Sequence, residues 1–65
     1  MTVRILLIDD HPVVRAGLRA LLEAEADLEV VGEADRGARA IDLVHTLRPD
    51  VVVTDLLLPD IAESL

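Results

Sequence analysis

Three short apolar runs, separated by two segments of helical length, constrain the fold of this chain more than any other feature. The runs are VRILLI at 3–8, LEVVGEA at 28–34 and VVVT at 51–54. Short runs rich in branched side chains are typical of strands. Parallel strands are joined by crossovers that usually contain a helix. The order strand, helix, strand, helix, strand therefore predicts an α/β fold with a parallel sheet.

The two intervening segments carry apolar residues at helical spacing. Pro12 suits the first position of a helix, and the first segment predicts a helix over residues 12–25. Asp35 is a candidate N-cap for the second helix, which is expected to end near Leu47 because Pro49 follows shortly after. The predicted apolar faces consist of Val14, Leu18, Leu21 and Leu22 in the first helix, and of Ala38, Ile41, Val44 and Leu47 in the second.

The polarity of the second run predicts the order of the strands. It contains Glu29 and Glu33, as an edge strand half open to water would. If the two more apolar runs are neighbours, the order is 2-1-3, and right-handed crossovers place the helices on opposite faces. Ligands of open parallel sheets bind where the strand order reverses, beyond the carboxyl ends of the strands. Asp9, Asp10 and Asp55 follow the two strands that flank this reversal.

Three carboxylates at one crevice require an explanation, because two unit charges about 4 Å apart repel by about 4 kcal/mol at an effective dielectric of about 20. A hard divalent cation would offset this repulsion, and a site with few protein oxygens suits Mg²⁺ better than Ca²⁺. Asp55 is the best-placed nucleophile for forming an aspartyl phosphate, while Asp9 and Asp10 can hold the ion.

Each of these acids also has a purely structural interpretation. Asp9 or Asp10 can cap the first helix, although a pair leaves one of them surplus to capping. Asp55 can be a turn residue before Pro59. His11 is adjacent to the acidic pair, but an exposed position at the start of a helix makes it a less favoured metal ligand.

Composition excludes several other functions. The net charge is −7 and there is no Lys, which disfavours binding to a phosphate backbone. The chain has no aromatic residue for stacking on bases and no Cys for a disulfide or thiolate site. No apolar run approaches the roughly 20 residues of a membrane span. We expect a cytoplasmic protein that binds neither nucleic acid nor membrane directly.

With these residues identified, the segments RILLIDDHPVVRAGLRALL, VVGEADRGARAI and RPDVVVTDLLLPD together resemble the receiver domain of two-component response regulators. The resemblance is greatest to the subfamily whose full-length members carry a C-terminal helix-turn-helix DNA-binding domain. It implies a flavodoxin-like fold, a sensor histidine kinase as partner and phosphorylation of Asp55. It also implies Mg²⁺ held directly by Asp10 and Asp55, more through water by Asp9, and by the backbone carbonyl of Leu57.

The chain departs from the family pattern in its length. A complete receiver has about five strands and is about twice as long, with a Thr or Ser and a Lys after the third strand that respond to the phosphoryl group. Glu63 stands where the family usually has Gly. Residues 1–65 are therefore expected to be a truncated receiver of βαβαβ order, without an output domain and impaired as a phosphoacceptor.

An unpaired third strand would be an apolar edge, which predicts a homodimer through that edge, unless the remainder of a larger structure supplies the neighbour. Two other functions are compatible with parts of the sequence. One is an interaction module that binds a kinase or regulator partner without being phosphorylated. The other is a Mg²⁺-dependent phosphatase, which is disfavoured because such enzymes usually carry two aspartates two positions apart after the first strand. We expect a signalling module rather than an enzyme.

Overall fold

The fold consists of three strands and two helices in alternation. In the computed structural model, the described residues are 1–54, so Asp55 and Leu57 of the predicted site lie outside them. The elements are β1 (Val3–Ile8), α1 (Pro12–Glu23), β2 (Leu28–Ala34), α2 (Gly37–Leu47) and β3 (Val51–Thr54). All three strands have the predicted bounds. No helix within residues 1–54 is long and apolar enough to cross a membrane.

The sheet is parallel and has the predicted order β2-β1-β3. The last residue of β1, Ile8, is the register partner of Ala34 in β2 and of Thr54 in β3. The register between β1 and β2 shifts between Ile5 and Leu6. The carboxyl ends of all three strands are therefore level with one another, at the same end of the sheet.

The core is built around the central strand, which is buried on both faces. Leu6 and Leu7 point to opposite faces and are both fully buried. Leu6 and Ile8 form a cluster with Ala34 of β2 and Ala40 of α2. A second apolar residue of α2 packs against this cluster, so α2 covers this face of the sheet. The central strand therefore holds the sheet together through contacts on both sides.

The helix α1 lies over the opposite face of the sheet. Its side chains Arg15 and Arg19 reach Glu33 of β2. Glu33 precedes Ala34, and successive strand residues point to opposite faces, so Glu33 faces away from α2. The predicted placement of the two helices on opposite faces is confirmed.

The end and the buried face of α1 differ from the prediction. The helix ends at Glu23, two residues early, because the amide of Glu25 donates to the carbonyl of Leu22 at 3.2 Å and tightens the last turn. Two predicted face residues are largely open: Val14 is 50% and Leu21 71% exposed. Within residues 1–54, α1 contacts only β1 and β2. The apolar face of α1 is therefore wider than the part of it that packs on these two strands.

The start of α2 also corrects the prediction. The N-cap is Arg36, with extended backbone and no side-chain capping bond, and not Asp35. The first helical bond runs from the amide of Ala40 to the carbonyl of Arg36, so Asp35 lies one residue too early to cap. At the other end Arg48 adopts a left-handed conformation with φ 49°, which ends α2 before Pro49.

Candidate functional site

The position of Asp9 is set by backbone bonds at the end of β1. Its amide donates to the carbonyl of Ala34 at 3.0 Å, which extends the pairing of β1 and β2 by one residue. Its side chain is buried, and carboxylate oxygen Oδ1 accepts a bond of 2.7 Å from the amide of His11. A buried carboxylate needs such a partner, and the amide of His11 provides it. The carboxylate of Asp9 is therefore held in place at the reversal of strand order.

Asp10 and His11 complete a group beside the Asp9 carboxylate. The Nδ1 atom of His11 lies 3.2 Å from Oδ1 of Asp9 and 2.8 Å from Oδ1 of Asp10. One candidate ligand atom from each residue lies within 4.8 Å of the others. We call Asp9, Asp10 and His11 the DDH group. The structure thus brings the two predicted metal carboxylates together, and it adds the histidine that sequence analysis ranked lower.

The donor set of the DDH group fits a hard cation. Two carboxylates from adjacent residues supply oxygens, and the Asp10 side chain is 45% exposed, so water can complete a coordination shell. An ion such as Mg²⁺ keeps several waters and needs few protein ligands. The imidazole of His11 is a softer donor, better suited to other metals, and here its Nδ1 is a hydrogen-bond partner of Asp9 and lies within ion-pair distance of Asp10.

Two residues beside the DDH group were not singled out by sequence analysis as site residues. Nη1 of Arg15 donates to the backbone carbonyl of Asp9 at 2.7 Å, and its Nε lies 3.3 Å from Oε1 of Glu33. A signal was present in the sequence, because Arg15 shares a helix face with Leu18 and Leu22 at i+3 and i+7. These three are the half-buried residues of α1.

Glu33 also binds a second arginine. Nη1 of Arg19 contacts Oε2 of Glu33, and Nε of Arg19 donates to Oε1 of Glu23 at 2.9 Å. Hydrogen bonds to Glu23 and then to Glu33 raise the pKa of Arg19 above its usual value. Within residues 1–54, Arg19 makes no contact with the DDH group: its bond to Glu23 lies within α1, and its bond to Glu33 links α1 to β2.

The third predicted acid follows the neighbouring strand. Ile8 and Thr54 are register partners, and the next residues along the chain are Asp9 and Asp55. Asp55 and the carbonyl of Leu57 lie outside the described residues, so their roles in the site stay predictions. The described half of the site is the DDH group.

A parallel sheet of order 2-1-3, with helices on both faces and carboxylates at the reversal, defines a doubly wound α/β domain of flavodoxin-like topology. Residues 5–62 match the family model of the response regulator receiver domain. The chain belongs to this family, which confirms the resemblance seen in its sequence.

Individual relatives agree with this assignment. The chain is 45% identical over 60 residues to the response regulator protein VraR of Staphylococcus aureus, covering 92% of the chain and 29% of VraR. It superposes with a TM-score of 0.86 on a LuxR-family two-component response regulator from Aurantimonas sp. SI85-9A1, at 47% identity, covering 91% of the chain and 42% of that structure.

A third relative was solved with a phosphate mimic. The isolated receiver domain of RcsB from Salmonella enterica serovar Typhimurium, in the presence of the phosphomimetic BeF3−, gives a TM-score of 0.85 at 34% identity. The match covers 91% of the chain and 43% of the RcsB domain. The chain thus spans less than half the length of each of these relatives.

Proposed function

We propose that this chain is the phosphoacceptor part of a cytoplasmic two-component system, in which Asp55 accepts a phosphoryl group from a sensor histidine kinase. In this proposal Asp9, Asp10, Asp55 and the carbonyl of Leu57 hold Mg²⁺. The observation that supports it is the pairing of Ile8 with Thr54, because Asp9 and Asp55 directly follow these residues in the sequence and ligands of open parallel sheets bind beyond the carboxyl ends of the strands.

The proposed reaction is an in-line displacement at phosphorus. A carboxylate oxygen of Asp55 attacks the phosphorus of the kinase phosphohistidine, and the phosphorus–nitrogen bond breaks with its electron pair passing to the imidazole. The product is an acyl phosphate on Asp55 and a free histidine on the kinase.

The DDH group contributes charge and position to this reaction. Asp9 is held in place by the amide of His11, whereas the carboxylate of Asp10 is half-exposed to solvent. Two carboxylates would repel an incoming anionic phosphoryl group. When bound, Mg²⁺ supplies the positive charge that offsets this repulsion.

Acetyl phosphate tests the proposal without a kinase. The purified chain is incubated with acetyl phosphate and Mg²⁺, and intact mass spectrometry follows the gain of one phosphate. We expect a partial, short-lived gain, because the chain contains no Lys to pair with the added charge. The gain should be absent in Asp55→Asn and kept in the matched control Asp60→Asn.

Two outcomes would contradict the assignment. One is a product that resists hydroxylamine and acid, because an acyl phosphate is labile to both. The other is modification that persists in Asp55→Asn. Stoichiometric and long-lived modification of the unaltered chain would instead show that a stable phosphorylated state does not require a Lys to pair with the added charge.

A second candidate function is a module that binds a kinase or regulator without being phosphorylated. The observation that favours it is the apolar surface of α1, where Val13 is 86% and Leu21 71% exposed. Binding of a partner that is unchanged by Asp55→Asn and by removal of Mg²⁺, together with an absent acetyl phosphate product, would support this function over phosphotransfer.

Within residues 1–54, β3 pairs with β1 alone, and its residues Val51 and Val52 are 45% and 42% exposed. We propose that two copies of the chain pair through this edge about a two-fold axis. Sedimentation equilibrium should detect a dimer or larger assembly, and a folded monomer at high micromolar concentration would overturn this proposal.

A further inference from the structure

Arg15 connects three elements at one end of the sheet. It belongs to the second turn of α1, its Nε faces Glu33 of β2, and its Nη1 donates to the carbonyl that follows β1. Its side chain is 23% exposed, and that of Glu33 is 28% exposed. The guanidinium is a planar fork that can serve two acceptors at once, which an ammonium group does less well.

The acceptor on the β1 side is the peptide group that joins Asp9 to Asp10. The amide of Asp9 donates to the carbonyl of Ala34 at 3.0 Å, and the carbonyl of Asp9 accepts from Arg15 at 2.7 Å. Both polar backbone groups of Asp9 are therefore held by neighbouring elements. The carbonyl lies in the same peptide plane as the nitrogen of Asp10, so the bond from Arg15 restricts how the Cα of Asp10 is presented.

Asp10 depends on this restriction more than Asp9 does. The Asp9 carboxylate is buried and accepts a backbone amide, whereas the described side-chain partner of the Asp10 carboxylate is the His11 ring, at 2.8 Å. That ring is itself largely exposed, with 66% of its side chain open to solvent. The orientation of Asp10 is thus set mainly by its backbone.

We propose that Arg15, held by Glu33, is a positioning residue for the metal carboxylates: it fixes the Asp9–Asp10 peptide and so presents Asp10 to a divalent cation. This inference rests on the proposed function, in which Asp9 and Asp10 hold the ion. Its role in this proposal is to act through the Asp9–Asp10 peptide and not as a metal ligand.

Charge and geometry predict opposite effects of removing Arg15, which makes the proposal testable. A guanidinium beside the DDH group repels a divalent cation, so loss of its charge alone would strengthen Mg²⁺ binding. Loss of the bond to the Asp9 carbonyl would release the peptide and weaken Mg²⁺ binding. The direction of the change in affinity therefore identifies the dominant contribution of Arg15.

The variants are Arg15→Met and its matched control Arg19→Met. Both variants replace a guanidinium that pairs with Glu33 by an uncharged side chain and keep much of the apolar stem. Only Arg15→Met also removes the bond to the Asp9 carbonyl. Mg²⁺ alone is titrated into the full chain labelled with ¹⁵N, and the amide signals of Asp10 and His11 are followed. A third variant, Arg15→Lys, keeps the charge and a single donor, and it covers the case in which Arg15→Met fails to fold.

The expected result is a dissociation constant for Mg²⁺ that rises about threefold to tenfold in Arg15→Met, the effect of one hydrogen bond. Arg19→Met should stay within about twofold of the unaltered chain, and Arg15→Lys should lie between the two. Tighter binding in Arg15→Met, or an equal change in both Met variants, would overturn the proposal.

Metal-free spectra separate this inference from the proposed function. If the unaltered chain does not bind Mg²⁺, the metal assignment of Asp9 and Asp10 fails. The bond from Arg15 to the Asp9–Asp10 peptide is still tested in that case. Without any ion, Arg15→Met should shift the amide signal of Asp10 and speed the hydrogen exchange of that amide. An Asp10 amide that is indifferent to Arg15→Met in the absence of Mg²⁺ would overturn the role of Arg15 by itself.

Discussion

Replacing Asp10 by Asn should reverse the stability order of the two chains when Mg²⁺ is added. Without the ion, Asp9 and Asp10 repel each other, so Asp10→Asn is expected to be the more stable chain. With the ion, the unaltered chain gains stability by mass action, and the variant gains little because it has lost one metal carboxylate.

The magnitude follows from the geometry of the DDH group. Its candidate ligand atoms lie within 4.8 Å of one another, a separation at which two unit charges repel by about 3.5 kcal/mol at an effective dielectric of about 20. The Asp10 side chain is 45% exposed, so solvent reduces this to about 1 kcal/mol or less. In a chain of this size that corresponds to a Tm higher by about 4–8 °C at most.

The stability that the unaltered chain gains from Mg²⁺ is similar in size to this repulsion, and it makes the unaltered chain more stable than Asp10→Asn. At a Mg²⁺ concentration about ten times its dissociation constant, the unaltered chain gains about 1.4 kcal/mol. Thermal unfolding followed by circular dichroism suits a chain without aromatic residues. Asp42→Asn is the matched control, because it removes the same charge from an exposed position on α2 and should leave the response to Mg²⁺ intact. A Tm of the unaltered chain that does not respond to millimolar Mg²⁺, or a variant that responds equally, would refute the reasoning.

Three further substitutions test the packing that supports the site, each by its change in free energy of unfolding. Gly17→Ala should stabilise the chain by about 0.5–1 kcal/mol, because a Cβ there meets nothing within 4 Å and α1 gains helix propensity. Gly32→Ala should destabilise it by about 1 kcal/mol, because the new Cβ would lie 2.6 Å from Cδ1 of Leu47. Asp50→Ala should cost about 0.5–1 kcal/mol, because the amide of Arg4 loses its 2.9 Å bond to that carboxylate. A change in the free energy of unfolding with the opposite sign would contradict the prediction for that variant.

The strands and their order were predictable because burial leaves a direct trace in composition. Leu6 and Leu7 are buried on opposite faces, which requires apolar residues in succession and no alternation. The edge strand β2 shows its position through Glu33, which faces the arginines of α1. The N-cap of α2 was not predictable in the same way, because the choice between Asp35 and Arg36 depends on one backbone conformation.

The predicted site is described in part. Asp9 and Asp10 come together as expected, because a short loop after a buried strand leaves little freedom to separate them. Arg15 was missed because its acceptor near the site is a backbone carbonyl, and every residue has one, so no residue type marks it. An arginine on the apolar face of a helix is the pattern that would have drawn attention to it.

The packing of β1 explains why an apolar strand should precede the carboxylates. Leu7 and Ile8 are almost completely buried, so the end of β1 cannot shift without opening the core. Asp9 follows Ile8 directly, so its backbone position is fixed by the same packing. Asp10 is one residue further from the core and more exposed, so it needs a separate restraint, which Arg15 provides through the peptide between them. The two acids therefore depend on different contacts. Core substitutions in β1 should disturb both acids together with stability, whereas Arg15→Met should affect Asp10 more than Asp9.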